Sequence, residues 1–367
     1  MTGRQYFLPI PLNIQLVHLA ASNFVKYGRQ RVGSWTEAEL SQPTSVFASI
    51  TNRCNLHCLQ CDIPLTGDRK AELTADQWKK IIGELRSWLG KTLIRWSGGE
   101  PFVRKDLIDL IEYSSRIGVL TGVNTNGHYI DQKMAERMAE ANVFNVNLSL
   151  DGMKKGHDFV RGPGQFDRVV AAARHLNKAR QQTKTNTKII IKVTVMETNL
   201  DELLDLCDLV ASEGWDALSV STLEETFSTS EPDVEWWKKS RLFVKDHKKL
   251  DDVIDRLKTR TDVMFNSQEH LESMKAYYRN PEIPTPSNFK CHVGRDHFRV
   301  AANGDVVMCP FKGTIGNLAH QSPWEIWKSN AAEQRRDEIL ACRKKCLIGC
   351  LYKRNVKEYA GVLMKLF

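Results

Sequence analysis

The first chemistry this chain offers lies in three closely spaced thiols. Cys54, Cys58 and Cys61 form a C-x3-C-x2-C array in the stretch Cys54-Asn55-Leu56-His57-Cys58-Leu59-Gln60-Cys61. An iron–sulfur cube has four irons, and a cluster that only relays electrons is usually held by four thiolates. Three thiolates leave one iron open to a substrate or cofactor, as an open position marks a catalytic zinc. The same residues admit a structural zinc site or three unrelated buried cysteines. Zinc would want a fourth local Cys or His, and His57 sits inside the loop, where its geometry is awkward.

The loop follows the apolar, β-branched run Ser45 to Thr51, and the pattern from there to about Thr222 alternates strand and helix. Strands are expected at Val46–Ile50, Thr92–Trp96, Leu120–Asn124, Asn145–Leu150, Lys188–Val195 and Ala217–Ser221. Helices are expected at Thr74–Leu89, Lys105–Ile117, Asp131–Ala141, Phe166–Arg180 and Asp201–Glu213. Such alternation predicts an α/β fold, a parallel sheet with crossover helices forming a partial (β/α)6 TIM-type barrel. In that architecture function gathers at the C-terminal ends of strands, where the cysteine loop, Gly98-Gly99-Glu100-Pro101, Asn124 to Gly127 and Ser149 to Gly152 all fall.

Before the barrel, Leu12 to Arg29 reads as an amphipathic helix, expected to pack across one end of the domain; membrane-surface contact is the less favoured role. After it, Asp233 to Lys258 and Gln268 to Tyr278 read as helices, with Trp236 and Trp237 as core residues, and Pro281, Pro284 and Pro286 mark a boundary. Asn303-Gly304 gives a two-residue hairpin signal between Phe298–Val300 and Asp305–Met308, which places Cys291 and Cys309 at the outer ends of one small hairpin. Trp324 to Leu340 is expected as a helix. The resulting division is 1–44 helix and linker, 45–225 barrel, 226–288 helical connector, 289–355 small cysteine-rich α+β unit and 356–367 tail.

Composition narrows the class. The 367 residues are 42% hydrophobic and 26% charged, and no run approaches a bilayer span or a secretory signal, so a cytoplasmic location is expected. The net charge of +8 is spread among mixed signs, and no nucleic-acid partner is expected. Nine cysteines, an odd number, argue against a disulfide framework. Eight fall in two groups; Cys207 stands alone among leucines and reads as core.

C-x3-C-x2-C after a first strand and Gly98-Gly99-Glu100-Pro101 after a second resemble the radical S-adenosylmethionine (SAM) superfamily. The resemblance implies a [4Fe-4S] cluster held by Cys54, Cys58 and Cys61, with SAM chelating the open iron. It also implies reductive cleavage of SAM to a 5′-deoxyadenosyl radical that takes hydrogen from a substrate, fed by a flavodoxin- or ferredoxin-type reductant. Gly98, Gly99 and Glu100 match the family's GGEP motif at the SAM amino group. Ser149 and Arg161 look like its contacts to SAM ribose and carboxylate, with Asn124 and Asn126 in the same cleft. The family often has an aromatic residue just before the third cysteine; here it is Gln60, which puts ring stacking on adenine in doubt.

The C-terminal unit resembles the SPASM/twitch extension. Cys291, Gly304 and Cys309 match its first half-motif, and Gly316-Asn317-Leu318 and Glu325-Ile326-Trp327 are similar to its next segment. The resemblance implies an auxiliary [4Fe-4S] cluster on Cys291, Cys309 and two of Cys342, Cys346 and Cys350, in the shorter twitch-like form, with zinc as the alternative. The cluster domain would cap the barrel mouth and assist electron transfer or substrate binding. Pro310 follows Cys309 where sulfatase-type maturases place an aspartate base, and the residues before the barrel seem short for a leader-peptide-binding domain. The expected substrate is therefore a small polar or sugar-like biosynthetic intermediate. The alternatives are modification of a ribosomal peptide, an isoprenoid or lipid substrate, and, from other classes, a non-catalytic iron–sulfur electron carrier or a zinc-stabilised binding module.

Overall fold

The computed structural model describes residues 17–26, 28, 41–63, 71–225, 235–284 and 291–347. Six parallel strands follow one another in space as in sequence: β1 (Ser45–Thr51), β2 (Leu93–Gly98), β3 (Leu120–Thr125), β4 (Asn145–Ser149), β5 (Lys188–Val195) and β6 (Ala217–Thr222). Strands β1 and β6 do not pair, so the barrel is open. The sheet continues past β1 into β7 (His297–Val300), which runs parallel to it from Ser45↔His297 to Ala48↔Val300, then into antiparallel β8 (Asp305–Val307) and β9 (Gly316–Asn317). The C-terminal unit is thus built onto the barrel sheet.

The two faces of this sheet differ. Val46, Ala48, Ile50, Ile94 and Trp96 are buried in one core with Trp78, Ile81, Ile82 and Leu85 of the helix α2 (Ala75–Leu89). Burial of each such large side chain contributes about 2–3 kcal/mol. The alternate positions, including Ser97, Asn124, Ser149, Lys192, Thr194 and Ser221, are only half-buried and face the open interior. Period-2 alternation therefore puts an apolar layer under the helices and a polar wall in the cleft.

Helix α2 starts where Thr74 and Gln77 form a reciprocal capping box. The helices α3 (Leu107–Arg116), α4 (Gln132–Glu140), α6 (Gln165–Thr183) and α7 (Leu203–Ser212) complete the expected crossovers. Helix α5 (Lys154–Arg161) is additional, and it positions Arg161. Ahead of the barrel, residues 17–26 form helix α1. Its Leu19, like Leu93, packs against Leu120 and Phe144, and Ser22 and Lys26 donate to the Lys91 carbonyl, so it lies across the strand-start end as expected. Residues 12–16, Tyr27 and Arg29 of that expected helix lie outside the described residues. No helix among the described residues is long and apolar enough to cross a membrane.

Three expected elements are corrected. The helix expected over Asp233 to Lys258 is two pieces, α8 (Trp236–Lys239) and α9 (His247–Thr259). Between them Leu242, Phe243 and Val244 are buried, and the Phe243 ring packs on Trp236, Trp237, Tyr277 and Tyr278. A continuous helix could not turn three consecutive side chains inward; Asp246 restarts it as N-cap. Helix α10 (Gln268–Arg279) follows as expected. Short helix α11 (Val293–Asp296) leads into a hairpin that is not the two-residue form. Gly304 has φ +90° but Asn303 is not left-handed, and Ala301 exchanges hydrogen bonds with Asp305 and Gly304, giving a loop over residues 301–304. The helix expected over Trp324 to Leu340 breaks into α12 (Pro323–Trp327) and α13 (Asn330–Leu340), because Ser329 caps the second. Trp327 then donates to the Ser41 carbonyl at 3.0 Å, fastening the C-terminal unit to the entry of β1.

Candidate functional site

One cleft at the C-terminal ends of the strands, about 290 Å³, is lined by Cys54, Cys58, Cys61, Gly98, Gly99, Asn124, Asn126, Ser149 and Arg161. Each of these was expected there. Ser97, Gln60, Asn147, Lys192, Thr194 and Ser221 complete its walls. Gln60 was singled out only as a departure from the family pattern, and the other five were not singled out; alternate strand positions near a strand end were the available signal for those.

The cysteine loop is held to the second strand by backbone contact. Gly99 N–H donates to the Thr51 carbonyl at 2.8 Å, and Glu100 N–H to the Arg53 carbonyl at 2.9 Å. A Cβ on Gly98 would lie 2.1 Å from Thr51 O, and one on Gly99 would lie 2.3 Å from Arg53 O. Gly98 also has φ +124°. The glycine pair is thus required by the stem of the cysteine loop, whatever else approaches it.

Glu100 is fully buried and turned away from the cleft. Its carboxylate accepts from Thr125 Oγ1 (2.8 Å), Asn126 N–H (2.8 Å) and Phe102 N–H (3.1 Å). Burial raises its pKa, and these donors oppose the rise. Asn126, thus placed, donates to Asn55 Oδ1 at 2.9 Å and stands 4.0 Å from Cys54 Sγ. Glu100 therefore positions the loop through Asn126.

Asp151 does the same from the other side. It is fully buried and accepts from Arg161 Nε (2.6 Å), Gln60 Nε2 (2.8 Å) and Thr194 N–H (2.8 Å). Arg161 Nη1 lies 3.8 Å from Cys58 Sγ. Gln60, where an aromatic residue would be usual, is thus a strut between the cysteine loop and β4. Leu59 N–H adds a backbone bond to Val160 of α5 at 3.0 Å. Across the cleft floor Asn145, Asn147, Asn124 and Ser97 form a hydrogen-bonded row.

Burial pushes the Cys58 thiol up to about 11, with Arg161 opposing, and raises Cys54 and Cys61 as well. Such thiols become thiolates only beside a strong positive centre, such as a bound metal. Asn55 Nδ2 and Gln60 Oε1 are buried without partners in the same loop, as expected where a bound group completes the site. Among the described residues no three Cys, His, Asp or Glu side chains converge as a single-ion site requires. Three thiols of one loop facing the same cleft, with two unpartnered amide atoms beside them, are a donor set that fits an iron–sulfur cube with one iron left open.

The second cysteine group gathers residues distant in sequence. Cys309 is raised by burial and then by Cys291 and Cys342; Cys346 is raised by burial and then by Glu224, Cys309 and Cys342. Cys309 thus lies in the field of the other three thiols, and Cys346 lies beside the exit of β6 at Glu224. Cys350 lies outside the described residues. Cys207 is buried in α7, apart from both groups, as expected.

An open parallel half-barrel with a three-thiol loop in its mouth defines a class of iron–sulfur enzyme. The sequence matches the family description "Radical SAM superfamily" over residues 48–210 and "Iron-sulfur cluster-binding domain" (SPASM) over residues 291–350. The chain belongs to the radical SAM superfamily and carries a C-terminal SPASM domain. It is 27% identical over 305 residues to PqqA peptide cyclase of Bradyrhizobium diazoefficiens, covering 80% of this chain and 75% of that protein. It is 33% identical over 199 residues to AdoMet-dependent heme synthase of Methanosarcina barkeri, covering 53% and 55%. In fold it is similar to Streptococcus suis SuiB bound to S-adenosylmethionine, with TM-score 0.60, 19% identity and coverage of 80% and 68%. The family brings a [4Fe-4S] cluster with SAM, and the SPASM domain brings auxiliary iron–sulfur clusters.

Proposed function

We propose that this chain modifies a peptide by radical SAM chemistry. The observation that carries the substrate class is the reach of the similarity to PqqA peptide cyclase. It extends over 80% of this chain, well beyond the radical SAM region, whereas the likeness to heme synthase covers 53%. The expectation of a small polar or sugar-like substrate gives way to the peptide alternative. That expectation leaned on Pro310 after Cys309, on the short stretch before the barrel and on the twitch-like cysteine pattern, none of which reports on what the cleft receives.

In this reading Cys54, Cys58 and Cys61 hold the cube. Gly98 and Gly99 offer backbone to SAM, and Asn124, Ser149 and Arg161 form the polar wall along it. Glu100 and Asp151 fix Asn126, Gln60 and Arg161 around the loop without touching the cofactor. Cys291 and Cys309, with two of Cys342, Cys346 and Cys350, hold one auxiliary [4Fe-4S] cluster. The bound cofactors supply one-electron chemistry that ends in removal of a hydrogen atom from the substrate. The chain supplies position, a hydrogen-bonded polar floor and the donors that orient SAM.

The test uses anaerobically reconstituted protein with SAM and dithionite, in two arms. One receives a perdeuterated peptide fraction, the other a perdeuterated small-metabolite fraction. Deuterium in 5′-deoxyadenosine from the peptide arm is the expected result. Label from the metabolite arm alone returns the assignment to a small molecule. No 5′-deoxyadenosine in either arm, from protein with full iron, favours an electron carrier.

A further inference from the structure

The segment that carries Cys342 and Cys346 has little structure of its own. Helix α13 ends at Leu340, and residues 343–347 form no helix or strand. Something else must place a thiol there within reach of Cys309. Two adjacent carboxylates at the exit of β6 meet this segment. Glu224 Oε1 accepts from Leu347 N–H at 3.2 Å and from Thr222 Oγ1 at 2.6 Å. Glu225 Oε2 pairs with Lys344 Nζ at 2.9 Å, and that ammonium lies 4.7 Å from the ring centre of Phe311, just past Cys309. Tyr277 of α10 donates to the Leu223 carbonyl at 2.9 Å, and Tyr278 accepts from Leu223 N–H at 2.8 Å, which stiffens the exit itself.

We infer that Glu224 and Glu225 are positioning residues for the auxiliary cluster: they clasp the Cys346 segment to the end of β6 and hold its thiol towards Cys309. This rests on the reading of the C-terminal cysteines as cluster ligands. The geometry is that of a clasp, since bonds flank Cys346 on both sides, at Lys344 and at Leu347. Lys344 also reaches the Cys309 side through Phe311, so one ammonium joins both halves of the ligand set. The cleft is close by, because Ser221, one residue before Thr222, lines it.

The experiment uses the full chain with Cys54, Cys58 and Cys61 replaced by alanine, so that only C-terminal iron remains. Iron per chain and the electron paramagnetic resonance spectrum after dithionite reduction are compared for this background, Glu224→Leu, Glu224→Gln and Lys344→Met. The background is expected to hold one cluster. Glu224→Leu should lose at least half of the iron. Glu224→Gln, which keeps an acceptor for Leu347 N–H, should retain the iron with a shifted spectrum. Lys344→Met, at a partly exposed site, should lose iron in part with circular dichroism unchanged, and it decides the matter if Glu224→Leu fails to fold. Unchanged iron and spectrum in Glu224→Leu, or in Lys344→Met where that variant decides, overturn the clasp. A background without iron overturns the auxiliary ligand assignment and the clasp with it.

Discussion

The two cysteine groups solve the same problem in opposite ways. Cys54, Cys58 and Cys61 share one short loop, and backbone bonds from Gly99, Glu100 and Leu59 fasten that loop to β2 and α5. Cys291, Cys309, Cys342 and Cys346 come from a hairpin and a distant coil, joined by side chains. The first site is local and braced by buried carboxylates; the second exists only when residues 291, 309 and 342–346 come together beside the end of β6. Loop closure therefore costs more for the second, at about 0.6 kcal/mol for each doubling of the intervening length.

The largest expected effect separates the two groups. Cys58→Ala should reduce 5′-deoxyadenosine formation by more than the roughly 10–100-fold that loss of an outer-shell partner costs, while C-terminal iron remains. Cys346→Ala should do the reverse, removing auxiliary iron and sparing SAM cleavage in the absence of peptide. Iron analysis with 5′-deoxyadenosine chromatography reads both. If either variant empties both sites, the groups are not independent.

Next in size is the brace. Glu100→Ala leaves three buried donors, from Thr125, Asn126 and Phe102, without an acceptor. At about 1–3 kcal/mol for each unpaired group the expected loss is about 3–9 kcal/mol. A loss of unfolding free energy below about 1 kcal/mol, read from the shift in urea midpoint multiplied by the slope m, would mean that water replaces the carboxylate and that the first site is less preformed.

The brace also predicts a pH dependence. His157 in α5 is buried, and its Nδ1 accepts from Asp151 N–H at 3.0 Å, so it is neutral in the fold. Burial lowers its pKa from 6.5 to about 4, with Arg161 adding to the fall. Between those values the unfolded chain takes up a proton that the folded chain refuses. Stability is therefore intact above pH 6.5 and declines as pH falls towards 4, by about 3 kcal/mol in total. His157→Gln should lack this component, which a comparison of melting midpoints at pH 7 and pH 5 detects. Parallel pH curves for the two proteins would remove His157 from the support of the first site.

The contrast also explains what could be read from the chain. The barrel was legible because alternation of strand and helix is local, and β5 appears at its expected bounds, Lys188–Val195. The cysteine loop and glycine pair were legible because both lie in unbroken motifs. The partners of Asp151 were not, since they come from positions 60, 161 and 194 and meet only through folding. Helix α5 escaped notice because Lys154–Arg161 is short, contains Gly156 and borrows stability from its packing. Ser240–Asp246 looked helical for the opposite reason, since its local propensity is overruled by burial of Phe243. Glu224 and Glu225 carry no signal at all in sequence, because a carboxylate after a strand is ordinary until the far end of the chain arrives.

The smallest expected effect tests the partition itself. Cys207 belongs to neither group; it is fully buried in α7, and burial pushes its thiol up to about 11. A thiol in that setting serves as a small apolar group. Cys207→Ser places a hydroxyl in an apolar core and should cost about 1–2 kcal/mol, with iron content and 5′-deoxyadenosine formation unchanged. The cost reports packing and the unchanged iron reports isolation from both sites. Stability loss without iron loss therefore completes the comparison, with Cys207 as core and the ligands confined to the two groups. Iron loss at native stability would instead bring α7 into a cluster site and require one of the two ligand sets to be redrawn.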